Sequence, residues 1–320
     1  MRKIRYLLFF AIASVYGNVL YAQQDPQLTM YMFNDLYYNP AFAGVEGITK
    51  ITALHRNQWA GYRAYFDDGT SPTTQVVTMT TPIYRLLPGT SGFGLTVVHD
   101  SYALQDNLQV QGSFAYHLGI KNSKLSFGLR YGIYSQAVDG DQYRPLDPGD
   151  PLLPRNESQI RPDMAAGLYF RAEKYYVGAS FNHIIKSEFD FGADDLRNAL
   201  ENHSYLAGGY IHKVNFNVTL IPSMLVSTDF NQYSFIIGGI VQFKEKFTGG
   251  LSFRQSEDVN VIIGYNFLKD RSLSVLGSFG YVIKDKDAKQ ATSHEVMLSY
   301  TLPVSPNSGK KIVRTPRFRH

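Results

Sequence analysis

Three features of the sequence predict an all-β fold, a transmembrane antiparallel up-and-down β-barrel of about 14 strands (12–16). They are an export signal, a long series of alternating strands, and connections whose lengths depend on their position in the chain. No apolar run after residue 22 approaches the ~20 residues that a membrane helix needs. The chain has no cysteine, so an exported form requires a large core or a closed hydrogen-bonded barrel in place of disulfides. The competing class is a large soluble all-β domain.

Residues 1–22 have the pattern of a secretory signal peptide. Arg2, Lys3 and Arg5 form a basic start, a short apolar run follows, and Ala22 is a small residue suited to cleavage. We therefore expect cleavage after about Ala22. Removing the three basic residues lowers the formal charge from +4 to +1. Five basic residues and no acid lie in residues 303–320, which leaves the body of the chain acidic and argues against a general nucleic-acid binder.

Alternation with a period of two identifies the strands. In Leu125–Ile133 every second residue is a large apolar one, and small or polar residues lie between them. Val259–Phe267 and Leu273–Ile283 follow the same rule. The predicted strands are 47–57, 72–84, 90–101, 106–119, 124–137, 162–172, 174–184, 203–214, 216–228, 231–244, 247–256, 258–268, 272–284 and 292–302.

The lengths of the connections favour a barrel over a soluble domain. Numbered along the chain, the long connections are all odd: 60–71, 138–161, 185–202 and 285–291. The even ones are short and rich in lysine and arginine. An outer-membrane barrel has long outer loops and short periplasmic turns, which predicts both chain ends on the periplasmic side. Within the fourth odd connection, residues 194–202 suggest one or two helical turns.

The predicted faces assign a role to each part of the chain. The apolar face of each strand should contact lipid, and the other face should line the lumen with Arg130, Arg254, Gln109, Gln111 and Glu295. Residues 23–46 are too apolar to be exposed to water in the periplasm. They should form a periplasmic or lumenal plug, with a short helix or irregular turn at the periplasmic mouth. Residues 47–302 form the barrel. Residues 303–320 form a basic periplasmic tail, either disordered or docking to an acidic surface.

We find no motif that predicts catalysis, so the sequence indicates a protein that is not an enzyme. Neither HExxH nor GxSxG occurs. Four aspartates in the third odd loop are candidate Ca²⁺ ligands: Asp139, Asp141, Asp147 and Asp150. They lack the order of an EF-hand, and Asp-Pro and Asp-Gly pairs are ordinary turn formers, so we expect no metal and no cofactor.

The stretch that follows the signal resembles the start of the PorP/SprF family of Bacteroidetes. The matching residues are Asp25, Pro26 and Gln27, then Asn39, Pro40, Ala41, Phe42, Ala43 and Gly44, then Arg56, Asn57, Gln58 and Trp59. Gly92–Gly94 and Asp147–Pro151 resemble later parts of the family, and the resemblance spans essentially the whole mature chain. The basic tail is its least typical part.

The resemblance implies a non-catalytic integral outer-membrane protein of the type IX secretion system and gliding machinery. Its implied partners are outer-membrane lipid, other secretion components in the periplasm or outer membrane, and a specific secreted cargo, possibly through a type B C-terminal sorting domain. The alternatives are a passive porin or hydrophobic-solute channel and an adhesin-like barrel that acts through its outer loops. An unobstructed polar pore would favour diffusion, whereas a long plug and large outer loops would favour binding.

Overall fold

The computed structural model describes residues 25–62, 71–83, 90–140, 156–191, 197–268, 270–287 and 289–302. Most of them belong to strands. The strands are β1 (Lys50–Asn57), β2 (Thr73–Ile83), β3 (Thr90–Tyr102), β4 (Gln105–Ile120), β5 (Ser123–Val138), β6 (Glu157–Arg171), β7 (Tyr175–Asn182), β8 (Glu188–Asp190), β9 (Arg197–Ala199), β10 (His203–Tyr210), β11 (His212–Lys213), β12 (Val218–Thr228), β13 (Tyr233–Phe243), β14 (Phe247–Arg254), β15 (Asp258–Phe267), β16 (Leu273–Val282) and β17 (Thr292–Thr301).

The strands close into an antiparallel barrel. Neighbours in sequence pair with each other, and β1 closes the ring by pairing with β17 from Lys50–Thr301 to Asn57–His294. Strand β10 pairs with both β7 and β12, and β11 continues β10 along the same partner, β12. Taking β10 and β11 as one, and leaving out the separate β8–β9 pair, 14 strands form the wall, as the alternation predicts.

The observed connections also follow the predicted parity. The even connections span two to six residues, whereas β1–β2, β5–β6 and β7–β10 are joined by 15 to 20 residues. We call the side of the odd connections the loop end and the opposite side the turn end. Strand β6 starts at Glu157, five residues before the predicted start at Pro162. Residues 157–165 pair with β5 but not with β7, and proline is tolerated at such an edge.

The two faces of the wall differ in polarity as predicted. Outward residues are apolar and exposed, for example Leu129 at 60% and Ile263 at 68%. All five predicted lumen residues are buried on the inward face. Among the described residues, no helix has both the length and the apolar character to cross a membrane.

The loop after β7 contains a hairpin where helical turns were predicted. Strand β9 pairs with β8 from Glu188–Ala199 to Asp190–Arg197. Phe189 and Leu200 are buried against Tyr134 on the inward face of β5. The prediction of helical turns is therefore wrong for 197–199, because pairing with β8 and burial of the flanking Leu200 outweigh local helix propensity; 194–196 lie outside the described residues.

Residues 25–46, which we call the N-terminal segment, lie inside this wall. They contain a four-residue helix α1 (Asp35–Tyr38) between two 3-10 turns, Tyr31–Phe33 and Pro40–Phe42. The Asn39 side chain caps the second turn by accepting a hydrogen bond from the Ala41 N–H at 2.9 Å, and Pro40 fits the first position of that turn. Gly44 has a φ of +72°, which favours glycine at the bend before β1.

Candidate functional site

The candidate functional site is the polar interior, where the N-terminal segment meets the inward faces of the strands. At the loop end, Asp25 contacts His183, the residue after β7. The Nε2 atom of His183 lies 3.0 Å from both carboxylate oxygens of Asp25, and its Nδ1 lies 3.1 Å from Oδ1 of Asp163 on β6. The Tyr205 hydroxyl also donates to Asp25 at 3.0 Å. These contacts hold the start of the segment against β6, β7 and β10.

The electrostatics of this cluster depend on the two carboxylates beside one imidazole. Burial lowers the pKa of His183, but the charges and hydrogen bonds of Asp25 and Asp163 outweigh it and raise the pKa to about 10. Burial alone would raise the pKa of Asp25, yet His183 brings it well below its usual range. Because a carboxylate only accepts hydrogen bonds, the metal-free cluster is an imidazolium between two carboxylates.

A second charged cluster holds the next residues of the segment. Glu295 on β17 accepts hydrogen bonds from the backbone N–H groups of Thr29 at 2.6 Å and Met30 at 2.9 Å. Its Oε1 lies 3.6 Å from Nε of Arg56 on β1, and Arg56 donates to the carbonyl of Gln27. Both charged side chains are only 2% exposed. Buried ions are stable only with charged or hydrogen-bonding partners, and the segment backbone supplies hydrogen-bonding partners to both Arg56 and Glu295.

The hydroxyl of Thr29 connects the segment to a third side of the barrel. It accepts a hydrogen bond from Arg254 Nη2 at 3.2 Å and donates to Asn260 Oδ1 at 3.3 Å. Nearby, Nε of Arg254 lies 3.8 Å from Oδ1 of Asp258. Arg56 and Arg254 are thus matched by Glu295 and Asp258, and the cluster has no net charge.

The middle of the segment is held through its backbone and its aromatic side chains. Arg130 on β5 donates to the Tyr37 carbonyl at 2.7 Å. Ser180 on β7 donates to the Tyr38 carbonyl at 2.7 Å, and the Tyr31 hydroxyl lies 2.8 Å from Ser223 Oγ on β12. The middle of the segment is therefore held by β5, β7 and β12.

Nearer the turn end, the segment packs directly on glycine backbone. A Cβ added at Gly128 on β5 would lie within 3.0 Å of the Ala41 backbone, and one at Gly92 on β3 would meet Ala43 and Gly44 just as closely. Only glycine allows this approach without a shift of the segment. The Asn39 amide donates to carbonyls of β6 and β7, at 2.8 and 3.2 Å.

A separate polar contact lies at the loop end of β1. The indole N–H of Trp59 donates to Glu257 at 2.8 Å, and Gln58 reaches the same carboxylate at 3.4 Å. Lys289 pairs with Glu257 at 2.6 Å and lies 5.2 Å from the centre of the Trp59 ring. These contacts link three odd connections to one another.

The structure brings the predicted motif residues into these contacts although they are far apart in sequence. Asp25, Gln27, Asn39, Ala41, Ala43, Gly44 and Arg56 all take part in the contacts between segment and wall, while Gln58 and Trp59 join the loop contact. Of the candidate Ca²⁺ ligands, only Asp139 is described, and its backbone N–H donates to Leu104 O at 2.9 Å; Asp141, Asp147 and Asp150 lie outside the described residues.

The position of the segment's start differs from the prediction. Strand β17 does end at the turn end, as expected for the C-terminal side, but Asp25 lies at the loop end beside His183. The segment thus runs the height of the barrel and does not stay at the turn-end mouth. The charge pairing of Asp25 with His183 and the hydrogen bond from Arg56 to the Gln27 carbonyl, both near the loop end, explain this path. His183, Asp163 and His203 were not predicted, because their separation in sequence gives no spacing signal.

A closed antiparallel barrel with an apolar outer face and a polar interior defines the class of outer-membrane β-barrel proteins. Within that class the match to a known family covers residues 20–300, and the chain belongs to the family described as Type IX secretion system membrane protein PorP/SprF. Fold and family together indicate an outer-membrane location. The comparison with curated proteins found no match.

Three solved structures are similar to this chain at low sequence identity. The Ralstonia pickettii toluene transporter TbuX is 12% identical with a TM-score of 0.49, over 84% of this chain and 93% of that one. A Pseudomonas aeruginosa FadL homologue is 13% identical with a TM-score of 0.44, over 82% and 92%. The Acinetobacter baumannii outer membrane protein Omp33 is 9% identical with a TM-score of 0.45, over 80% and 98%.

Proposed function

We propose that this protein is a non-catalytic component of the type IX secretion system that binds a specific secreted cargo protein, with its lumen closed by the N-terminal segment. In this proposal the signal peptide is removed after about Ala22, and the segment acts as a fixed plug. The long odd loops face outward and the basic tail lies in the periplasm. Cargo, or its sorting domain, binds the loop end.

The observation that carries the proposal is that the segment contacts many different strands around the barrel wall. Hydrogen bonds and close packing join it to β1, β3, β5, β6, β7, β10, β12, β14, β15 and β17. Residues such as Leu28, Met30 and Ala41 are fully buried. A segment held by ten strands and buried in the lumen favours a plug over the open pore of the porin alternative.

The loop end offers the surface on which a partner could bind. Long connections are free to vary and commonly carry binding residues, whereas the rigid wall positions them. The Trp59–Glu257–Lys289 contact fixes three connections, and the β8–β9 hairpin packs against Tyr134. This arrangement supports recognition of a folded partner and also suits the adhesin-like alternative.

Deletion of the gene followed by quantitative profiling of secreted and surface proteins tests the proposal. We expect one or a few cargo proteins to disappear from the surface while other type IX substrates are still exported. Complementation with the wild-type gene should restore them. Unchanged secretion together with reduced uptake of a small solute would favour the channel alternative and contradict the proposal.

A second complementation experiment distinguishes loss of cargo binding from failure of the barrel to insert into the membrane. A chain in which residues 191–196, which join β8 to β9 in sequence, are replaced by a glycine-serine linker of equal length should still insert into the membrane. If the loop end binds cargo, this chain restores export poorly. Loss of the last 18 residues, 303–320, serves as the comparison, because it removes the tail and leaves the loop end intact.

A further inference from the structure

We propose that Asp25, His183 and His203 form a Zn²⁺ site that ties the start of the N-terminal segment to the barrel wall. One ring nitrogen of each histidine and one carboxylate oxygen of Asp25 lie within 4.8 Å of one another. Two imidazoles and a carboxylate are a ligand set that Zn²⁺ accepts, with a fourth position left for water. The site goes beyond the proposed function, since it concerns how the segment is held and not what the loops bind.

His203 provides the first independent observation. It is 5% exposed, and its Nδ1 lies 3.0 Å from the carbonyl oxygen of Glu201. A carbonyl only accepts, so Nδ1 carries the proton and Nε2 presents a lone pair. That Nε2 atom is buried and has no hydrogen-bond partner among the described residues. A buried acceptor without a donor costs free energy, and a metal ion would satisfy it.

The surroundings of both histidines match those of metal ligands. In metal sites the second ring nitrogen of a ligating histidine donates to a carboxylate or a backbone carbonyl, which fixes the tautomer. His183 has Asp163 in that role at 3.1 Å, and His203 has the Glu201 carbonyl.

A small cavity beside the two ligands Asp25 and His203 contains a second buried polar atom that lacks a hydrogen-bond partner among the described residues. Asp25, His203 and Asp229 line one small cavity. Oδ1 of Asp229 accepts hydrogen bonds from two backbone N–H groups, whereas its buried Oδ2 has no partner in the part of the chain that the structure describes. A water molecule bound to the metal in this cavity would donate to Asp229. The cavity therefore offers both the fourth ligand position and an acceptor for it.

The distances fit a metal with modest adjustment. A tetrahedral Zn²⁺ with bonds of about 2.1 Å separates its ligand atoms by about 3.4 Å. Nε2 of His183 lies 3.0 Å from the Asp25 carboxylate, close to that separation. The remaining ligand atoms lie within 4.8 Å of one another, so side-chain movements of up to about 1.4 Å bring them to that separation.

Zinc titration of the purified full chain tests the site. The barrel is stripped with EDTA, dialysed and titrated with ZnCl₂, and bound metal is measured by mass spectrometry and calorimetry. We expect about one Zn²⁺ per chain. His203→Gln should abolish this binding and still fold, because it leaves the Asp25–His183 pair in place. His117→Gln, at a buried histidine bound to Ser126, is the matched control and should bind as the wild type does.

Co²⁺ gives a spectroscopic measure of the same site. The visible absorption of four-coordinate Co²⁺ should appear in the wild type and in His117→Gln and be absent in Asp25→Asn and His203→Gln. Equal Zn²⁺ binding by the wild type and His203→Gln would overturn the proposal. So would wild-type protein that binds no Zn²⁺, since the cluster would then be a hydrogen-bonded ion pair alone.

Discussion

The buried carboxylate of Glu295 provides the sharpest test of how firmly the N-terminal segment is held. It accepts two backbone hydrogen bonds from the segment and faces Arg56, and both charged side chains are almost fully buried. The substitution Glu295→Gln keeps the shape of the side chain and removes its charge. It leaves Arg56 without its carboxylate partner and one segment N–H without an acceptor.

The expected cost follows from the burial of this pair. Removing one partner of a buried ion pair costs about 3–5 kcal/mol, because the other charge stays buried without compensation. Each 1.4 kcal/mol changes an equilibrium tenfold, so the released form of the segment should become roughly 100- to 4,000-fold more populated. Replacing both partners, as in Arg56→Met with Glu295→Gln, should cost clearly less than the sum of the single changes, because no unpaired charge remains.

The absence of native cysteine makes this population measurable. Leu36→Cys places one thiol at a position that is 2% exposed in the lumen. Its rate of reaction with a polar maleimide reports how often the segment leaves its site. Ser299→Ala on the same strand is the matched control, because the Ser299 hydroxyl bonds to Thr52 on the neighbouring strand.

The result that refutes this reasoning is specific. A Glu295→Gln barrel that keeps its heat-modifiable migration and labels within threefold of the control would show that these bonds do not hold the segment. A double variant that labels as fast as the product of the single effects would show that Arg56 and Glu295 act independently.

Three further outcomes are expected. Deletion of residues 28–38 should leave the barrel inserted and raise its conductance in planar bilayers, while impairing cargo export. Gly128→Ala should displace the segment and speed maleimide labelling, because its Cβ would lie within 3.0 Å of segment backbone. Gly119→Ala should not, because its Cβ would meet no described residue within 4 Å. Glu257→Gln should change the fluorescence of Trp59, the one tryptophan, because the indole then hydrogen-bonds to a neutral group.

Each of these outcomes has a contradicting result. Unaltered conductance and normal export after the deletion would refute a plugging role. Similar labelling of the two alanine variants would show that close packing at Gly128 does not hold the segment. Asp285→Asn, at an exposed carboxylate 4.0 Å from Lys289, is the control for the fluorescence measurement, and an equal spectral change there would indicate a general charge effect.

Much of the wall could be predicted because its signals are local. Alternation in Leu125–Ile133 directly encodes which side chains face lipid, since successive strand residues point to opposite faces. The lengths of the connections then distinguished the loop end of the barrel from the turn end. The hairpin β8–β9 was missed because its short strands depend on burial of Phe189 and Leu200 against Tyr134, a residue more than 50 positions earlier. Local propensity cannot include such a contact.

The sequence by itself determined the strand number, the polarity of the two faces and the family. The alternation of apolar residues, the lengths of the odd and even connections and the N-terminal motif are all visible along the chain. Only the tertiary structure decided where the N-terminal segment lies. Its path depends on Asp25 meeting His183 and on Glu295 meeting the Thr29 backbone, pairs separated by 158 and 266 positions. Buried charges are stable only with partners in space, and closing the barrel is what brings those partners together.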